Sequence, residues 1–362
     1  MLDVVVDSDG RETIVPAASF DEPSGRHYWQ VAGHEAYVRD GVVLPGVDMP
    51  LLSGALVTAL QQRLERVIFH TEYDTGIPPT KPVKGNLVRR ALQQREKIAK
   101  RHGKVKDADD ATCETLQMIN IRYCDSLFQQ LVHSTVLGEI VANVTGWPSG
   151  ARVAQDQVWV KPPRCGPLTF HRDSPYFDFQ PSDVATVWIT LDPLDGEDAD
   201  ELGPLQYCPG SHRWGDSRTG SAGQFFTGNY KALLYDAARR EGLLPPPGEE
   251  GQEQSSSKAE LLPIVTVRVK AGGFSIHDGR TWHGSGPNRS TECRYRRGIG
   301  IHFVPGCARF APDKPIGRLW LPYLNMVKDG TQGEEEEGNV VVDRPMSLPE
   351  TYFPLVGRPK TG

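Results

Sequence analysis

Alternation of apolar and polar residues with a period of two sets in after residue 150 and constrains the second half of the chain more than any other feature. Residues 153–161, 184–191 and 295–303 all follow it, as expected of strands, whose successive side chains point to opposite faces. In 184–191 the aliphatic side chains share one face, which leaves Trp188 and two threonines on the other. We expect the aliphatic face to pack against a second layer and the other face to line an interior.

The pattern before residue 150 is mostly helical. Residues 50–69 predict one amphipathic helix, and residues 115–146 predict two helices that break near His133-Ser134. Residues 37–47 are rich in β-branched residues around a glycine and predict a strand. We therefore expect a mainly β protein with a helical N-terminal half that buttresses the sheet.

The length suits one domain with extensions, since β-barrel enzymes reach this size without splitting. We expect a single domain over residues 1–362 without internal repeats. Its predicted parts are strand and helical support (1–150), the β core (151–310), a flexible Pro/Glu/Ser-rich insertion (215–260) and an irregular C-terminal wrap (311–362).

A His-x-Asp pair, His171 and Asp173, lies between the first two alternating runs. On an extended segment, residues two apart project from one face, so this imidazole and carboxylate can reach one cation. A third candidate, His283, follows a short apolar run much later in the chain. Two histidines and one carboxylate with open positions opposite them form the ligand set of non-heme Fe(II) oxygenases.

The order of motifs from residue 161 onward resembles the phytanoyl-CoA dioxygenase family. The resemblance covers residues 115 to 310 and fades outside them. The matching pieces are Lys161-Pro-Pro, His171-x-Asp173, Tyr176-Phe177, Pro181-Ser182-Asp183, Trp188, Pro209-Gly-Ser-His212, Lys270-Ala-Gly-Gly and His283-Gly-Ser-Gly-Pro-Asn288.

This resemblance implies a double-stranded β-helix, the jelly roll, as the core. It also implies that His171, Asp173 and His283 are catalytic residues that hold Fe(II), with 2-oxoglutarate and O2 as co-substrates. The implied reaction is hydroxylation of a substrate C–H bond with release of succinate and CO2. Halogenating relatives lack the carboxylate that Asp173 supplies here, so the resemblance favours hydroxylation over halogenation.

The family places an arginine that binds the 2-oxoglutarate carboxylate on the last strand, and two arginines fit that position. Spacing from His283 selects Arg294, and spacing from the end of the strand selects Arg296. Both lie on the face that also carries two glycines, which leave room for a dicarboxylate. We favour Arg296, because an insertion is absorbed more easily by a loop than by a paired strand.

Three more residues are candidates for the co-substrate pocket. Ser285 and Trp188 match family positions that line it, and Gln117 is included only on its spacing from Leu127-Phe128. On the substrate side we expect Tyr176 and Phe177, which directly follow the His-x-Asp pair.

Charge and composition restrict the partners. The net charge of -6 argues against nucleic acid and anionic membranes, and no apolar run is long enough to cross a bilayer. Residues 81–106 hold ten Lys or Arg, which we interpret as a solvated face; the alternative is a collar that attracts an anionic or acyl substrate. We expect a small-molecule enzyme inside the cell, in the cytoplasm, whose oligomeric state the sequence leaves open.

Two other functions remain open at this point. One is a cupin-type metalloenzyme without 2-oxoglutarate, which would not need the Arg296 and Ser285 pair. The other is a non-catalytic binding protein on this scaffold, which would be expected to have lost a ligand.

Overall fold

The computed structural model describes residues 1–16, 28–69, 73, 75, 115–215, 229–245, 262–292, 294–311, 316–317, 319–327 and 346–359. The basic stretch 81–106 and most of the 215–260 insertion lie outside them. The helices are α1 (His34–Asp40), α2 (Gly54–Phe69), α3 (Ser126–Val132), α4 (Thr135–Thr145), α5 (Ala232–Arg240) and α6 (Leu321–Val327). No helix in these residues is long and apolar enough to span a membrane.

The strands, in chain order, carry most of the core. They are β1 (Leu2–Val6), β2 (Glu12–Pro16), β3 (Val42–Val43), β4 (Leu116–Ile119), β5 (Ala151–Lys161), β6 (Leu168–His171), β7 (Phe179–Gln180), β8 (Ala185–Thr190), β9 (Leu205–Tyr207), β10 (Val265–Thr266), β11 (Phe274–Asp278), β12 (His283–Ser285), β13 (Arg296–Pro305), β14 (Arg309–Phe310), β15 (Met346–Ser347) and β16 (Leu355–Gly357).

Two antiparallel sheets hold the centre of the molecule. The larger has seven strands in the order β16-β5-β13-β8-β11-β3, with β4 also paired to β5, and the smaller has the order β10-β9-β12-β6. They meet face to face, because the Tyr207 hydroxyl on β9 lies 3.0 Å from His277 Nδ1 on β11. The chain is thus mainly β, as the alternation predicts, with helices added on the outside.

The aliphatic face of the larger sheet packs on helices α2, α3 and α4. Val187 and Ile189 of β8 and Ile299 and Ile301 of β13 belong to one buried cluster with side chains from all three helices. The members from the helices include Leu56, Leu60, Leu64, Leu127, Phe128, Leu131, Leu137, Ile140 and Val141. The predicted second layer is confirmed, and the opposite face of the larger sheet is left to line the interior.

The helical N-terminal half is not confirmed as a whole, because strands interrupt it. The first residues of the predicted 37–47 strand belong instead to helix α1, which spans residues 34–40, and only Val42–Val43 pair with β11. Gly41 ends the helix in a left-handed conformation, with φ of 70°. The start of the predicted 115–146 helix pair is strand β4, because pairing with β5 overrides the local helical pattern. The helix break at His133-Ser134 is where the sequence predicts it.

Two other expectations are wrong in part. Inside the predicted flexible insertion, residues 232–240 form α5, whose Leu234, Ala237 and Ala238 are buried against Phe170 and Trp282. The C-terminal wrap is not wholly irregular, since it contains α6 and β15, and its strand β16 extends the larger sheet. Both elements are stabilised by contacts with distant residues, which local composition does not report.

Candidate metal centre

The three predicted metal ligands converge between the two sheets. His171 ends β6 and His283 begins β12, and the two are cross-strand partners in the smaller sheet. His171 Nε2 lies 3.7 Å from Asp173 Oδ1, and His283 Nε2 lies 3.6 Å from the same oxygen. Both separations are less than twice a metal–ligand bond of about 2.1 Å, so one ion can contact each pair.

The backbone orients both imidazoles in the same way. His171 Nδ1 lies 2.8 Å from the Thr169 carbonyl, and His283 Nδ1 lies 3.0 Å from the Thr281 carbonyl. A carbonyl only accepts, so each Nδ1 carries the proton and each Nε2 presents its lone pair to the centre. Burial lowers the pKa of both histidines to about 4, so both are neutral, as a metal ligand requires, at neutral pH.

Asp173 uses its two oxygens differently. While Oδ1 faces the two imidazoles, Oδ2 accepts from Thr186 Oγ1 at 2.7 Å and from His277 Nε2 at 3.2 Å. Burial opposes ionisation of this carboxyl, but the surrounding histidines hold its pKa well below the usual range. The carboxylate is therefore held ionised and fixed in orientation by the larger sheet.

A cationic subsite lies in the same cavity, beyond the triad. Arg296 is 2% exposed; its Nη2 donates to Ser285 Oγ at 3.2 Å and its Cζ lies 5.7 Å from the Trp188 ring centre. Arg296 Nε has no hydrogen-bond partner in the described part of the chain. Burial lowers the pKa of Arg296 to about 10, which still leaves it charged at neutral pH. A buried guanidinium with an unused donor beside a hydroxyl fits a carboxylate ligand.

Lys161, the first residue of the Lys161-Pro-Pro motif, is a second buried basic side chain near this subsite. It is 0% exposed, is the cross-strand partner of Arg296, and donates from Nζ to the backbone carbonyls of Ser285 and Gly286. Burial and the nearby Arg296 lower its pKa well below the usual value. Its position opposite Arg296 on β5 could have been noticed only with the strand pairing known.

The remaining predicted residues are not all in the cavity. Trp188, Tyr176, Phe177 and Gln117 line it, and Gln117 does so from strand β4 instead of the predicted helix. Arg294 lies outside it: its side chain is one-third exposed and pairs with Asp198. The structure thus brings Arg296, and not Arg294, to the triad.

The two glycines of β13 have different surroundings. A Cβ on Gly298 would lie 2.7 Å from Trp188 Nε1, so the indole already fills that space. Among the described residues, the nearest atoms to a Cβ on Gly300 would be 4.0 Å away, in His302 and Thr186. The expected room beneath the arginine is therefore at Gly300, which lines the cavity, and not at Gly298.

Gly298→Ala is expected to displace the indole and to lower the free energy of unfolding by about 1–3 kcal/mol, the usual cost of overpacking. Gly300→Ala, in the same strand and on the same face, serves as the matched control and should cost less. Urea denaturation of both variants measures the difference. Equal losses of unfolding free energy would contradict the conclusion that the cavity has room at Gly300 and not at Gly298.

The site also contains polar residues that sequence reasoning did not select. His277 and His302 lie against Asp173, and the Tyr207 hydroxyl contacts His277 Nδ1. Gln155 and Gln157 line the cavity from β5. Alternation placed these side chains on the interior face, but nothing local marked them as members of a site.

Comparisons with known proteins agree with this geometry. A family model described as phytanoyl-CoA dioxygenase matches residues 37–298. The probable alpha-ketoglutarate-dependent hypophosphite dioxygenase of Stutzerimonas stutzeri is 28% identical over 171 residues, which are 47% of this chain and 50% of that protein. The chain therefore spans only half the length of this curated relative.

Two solved structures from nogalamycin biosynthesis share the fold. The non-heme alpha-ketoglutarate-dependent epimerase SnoN has a TM-score of 0.51 and 19% identity, covering 91% of this chain and 100% of that one. The carbocyclase SnoK has a TM-score of 0.51 and 20% identity, covering 88% and 98%. Since the family model spans most of the sequence and includes the triad, this chain belongs to the phytanoyl-CoA dioxygenase family.

Proposed function

We propose that this protein is an Fe(II)- and 2-oxoglutarate-dependent dioxygenase that hydroxylates a C–H bond of a small organic substrate. The observation that carries the proposal is that one cavity is lined both by the His171, Asp173 and His283 triad and by the buried Arg296, whose Nη2 donates to Ser285. A carboxylate-binding subsite beside a two-histidine, one-carboxylate centre suits a co-substrate that must reach the metal with one end and be held at the other. We also propose that the two facing sheets form a double-stranded β-helix.

The donor set fits the metal. His171 and His283 present neutral Nε2 lone pairs, and Asp173 presents Oδ1 while its other oxygen is occupied by hydrogen bonds. This division keeps the carboxylate monodentate toward the centre and leaves the remaining coordination positions free.

The cationic subsite fits the 5-carboxylate of 2-oxoglutarate. Arg296 can offer a forked pair of donors, and the Ser285 hydroxyl beside it adds a third. Behind them, the Lys161 amine holds the backbone of Ser285 and Gly286 in place through its hydrogen bonds to their carbonyls. Ile119, Trp159, Phe177 and Leu319 line the same cavity and exclude water from its walls.

When bound, iron and 2-oxoglutarate supply the oxidation of the substrate, with succinate and CO2 as co-products. The residues of this chain orient the partners. Asp173 stays ionised and fixed by Thr186 and His277, and Arg296 would hold a carboxylate of 2-oxoglutarate. We include in this proposal an anionic or acyl substrate as one option. The residues that line the rest of the cavity determine which class of substrate binds.

The test is an anaerobic titration of the Fe(II)-loaded protein with 2-oxoglutarate. The weak visible charge-transfer band of the chelate measures the binding of 2-oxoglutarate. Arg296→Leu is expected to weaken 2-oxoglutarate binding about 10- to 100-fold, the range for losing a buried hydrogen bond to a charged group. Arg294→Leu is the matched control, because it removes the same group two residues away, outside the cavity. Its affinity should stay within about twofold of wild type.

Two results would contradict the proposal. Bound iron without any band in the wild type would remove 2-oxoglutarate and favour a cupin-type metalloenzyme. Absence of iron binding altogether would favour a binding protein on this scaffold. Equal effects of the two arginine variants would show that the subsite, though not the metal centre, is assigned to the wrong residues.

A further inference from the structure

The cavity wall opposite the smaller sheet contains two buried side chains that each have one unpaired polar atom among the described residues. Gln155 on β5 and His302 on β13 are cross-strand partners in the larger sheet. They are 2% and 5% exposed, and both line the cavity beside the triad. Gln155 Nε2 and His302 Nε2 have no hydrogen-bond partner in the described residues.

The hydrogen bonds on its far side determine which ring nitrogen of His302 is free. Thr186 Oγ1 donates its only proton to Asp173 Oδ2, so it must accept from His302 Nδ1, 2.8 Å away. A neutral imidazole that is protonated at Nδ1 carries a lone pair at Nε2. His302 therefore offers the cavity a hydrogen-bond acceptor.

A chain of glutamine amides uses the side-chain oxygen of Gln155. Gln117 Nε2 donates to Gln157 Oε1 at 2.9 Å, and Gln157 Nε2 donates to Gln155 Oε1 at 2.6 Å. Because its oxygen is used, Gln155 has only its NH2 group left. Gln155 therefore offers the cavity a hydrogen-bond donor.

We propose that Gln155 and His302 form a recognition site for a hydroxyl group of the substrate. A hydroxyl can donate to His302 Nε2 and accept from Gln155 Nε2 at the same time, whereas a carbonyl or an ether can only accept. Directly paired residues of antiparallel strands have Cβ atoms about 4.5–5.5 Å apart, so a single oxygen can reach both side chains. The inference rests on the proposed oxygenase function and narrows its substrate to a class.

The rest of the wall indicates the body that carries this hydroxyl. Ile119, Trp159, Phe177 and Leu319 provide apolar surface around the pair. The substrate class is therefore a hydroxylated molecule with an apolar skeleton, held by its hydroxyl close to the metal centre. His302 and Gln155 act as specificity-determining residues and not as metal ligands.

The test compares two ring compounds of similar shape, cyclohexanol and cyclohexanone, by equilibrium dialysis against the full-length protein. Dialysis is run on the protein loaded anaerobically with Fe(II) and 2-oxoglutarate, and again on the metal-free protein. Cyclohexanol is expected to bind at least about fivefold more tightly, because the ketone leaves His302 Nε2 buried and unpaired.

Substitutions of the two residues should change the two ligand affinities in different ways. His302→Asn keeps an amide nitrogen for Thr186 but removes the Nε2 acceptor, so the two affinities should fall within about twofold of each other. Gln155→Leu removes the donor, so both ligands should weaken by a similar factor and the preference should persist. Gln130→Leu is the matched control: it loses hydrogen bonds to the backbone of residues 12 and 14, away from the cavity wall, and should change neither affinity.

The inference is overturned if the wild type shows no preference for cyclohexanol, or if His302→Asn keeps the wild-type ratio. Should His302→Asn fail to fold, an unchanged affinity for both ligands in Gln155→Leu overturns it equally. A missing Fe(II) and 2-oxoglutarate band would defeat the proposed function alone, because dialysis against the metal-free protein still reports on the pair.

Discussion

Asp173→Ala is expected to abolish tight Fe(II) binding and to reduce succinate formation from 2-oxoglutarate by more than about 100-fold. Replacing residues that only support a ligand already costs about 10- to 100-fold in metal affinity or activity, and Asp173 faces the centre directly. Its removal also leaves the donors of Thr186 and His277 without their shared acceptor. Iron retained after anaerobic desalting and succinate formed per protein measure the two effects.

Two further variants serve as comparisons for Asp173→Ala. Thr186→Val removes one hydrogen bond to Asp173 Oδ2 and leaves the ligand atoms in place. Its affinity for Fe(II) should therefore fall by about tenfold. Asp183→Ala removes a partly exposed carboxylate of the same segment, which pairs with Arg280, and should retain iron. Full iron content in Asp173→Ala would rule out this carboxylate as a ligand.

Asp156→Ala is expected to lower the free energy of unfolding by about 3–5 kcal/mol, because it leaves the Arg122 charge buried without its partner. Both side chains are fully buried, and Arg122 Nη1 pairs with Asp156 Oδ1. Arg122 Nη2 also donates to the Tyr352 carbonyl at 2.9 Å, so the cation joins β5 to the C-terminal segment. Urea denaturation followed by circular dichroism measures the loss.

The surface pair of Lys270 and Asp48 provides the control. Its members are 55% and 90% exposed, so Asp48→Ala should cost less than about 1 kcal/mol. The double variant Arg122→Met with Asp156→Leu should recover part of the loss, because neither remaining side chain is charged. A small effect of Asp156→Ala alone would mean that water reaches Arg122.

Local patterns predicted the parts of this protein that depend on neighbours along the chain. The period of two located β5, β8 and β13 and separated their aliphatic faces from the faces that line the interior. The His-x-Asp spacing identified two members of the triad, and the motif order added His283. These inferences succeeded because strand periodicity and spacing are properties of the backbone itself.

Parity could not separate Arg294 from Arg296, because residues two apart fall on the same face of the predicted strand. The structure distinguishes them by depth: Arg296 is paired opposite Lys161 inside the sheet, whereas Arg294 lies before the strand begins and contacts Asp198. Strand β4 was missed for a related reason, since its partner β5 begins more than 30 residues later in the sequence.

The sequence by itself determined the metal-ligand candidates, the alternating strands and the family of this protein. Only the tertiary structure decided which arginine enters the cavity, that Lys161 lies opposite it, and that Gln155 and His302 meet across two strands. The physical reason is that periodicity determines the face on which a side chain lies, whereas its neighbours depend on the register between strands distant in sequence. That register is set by packing of the whole sheet.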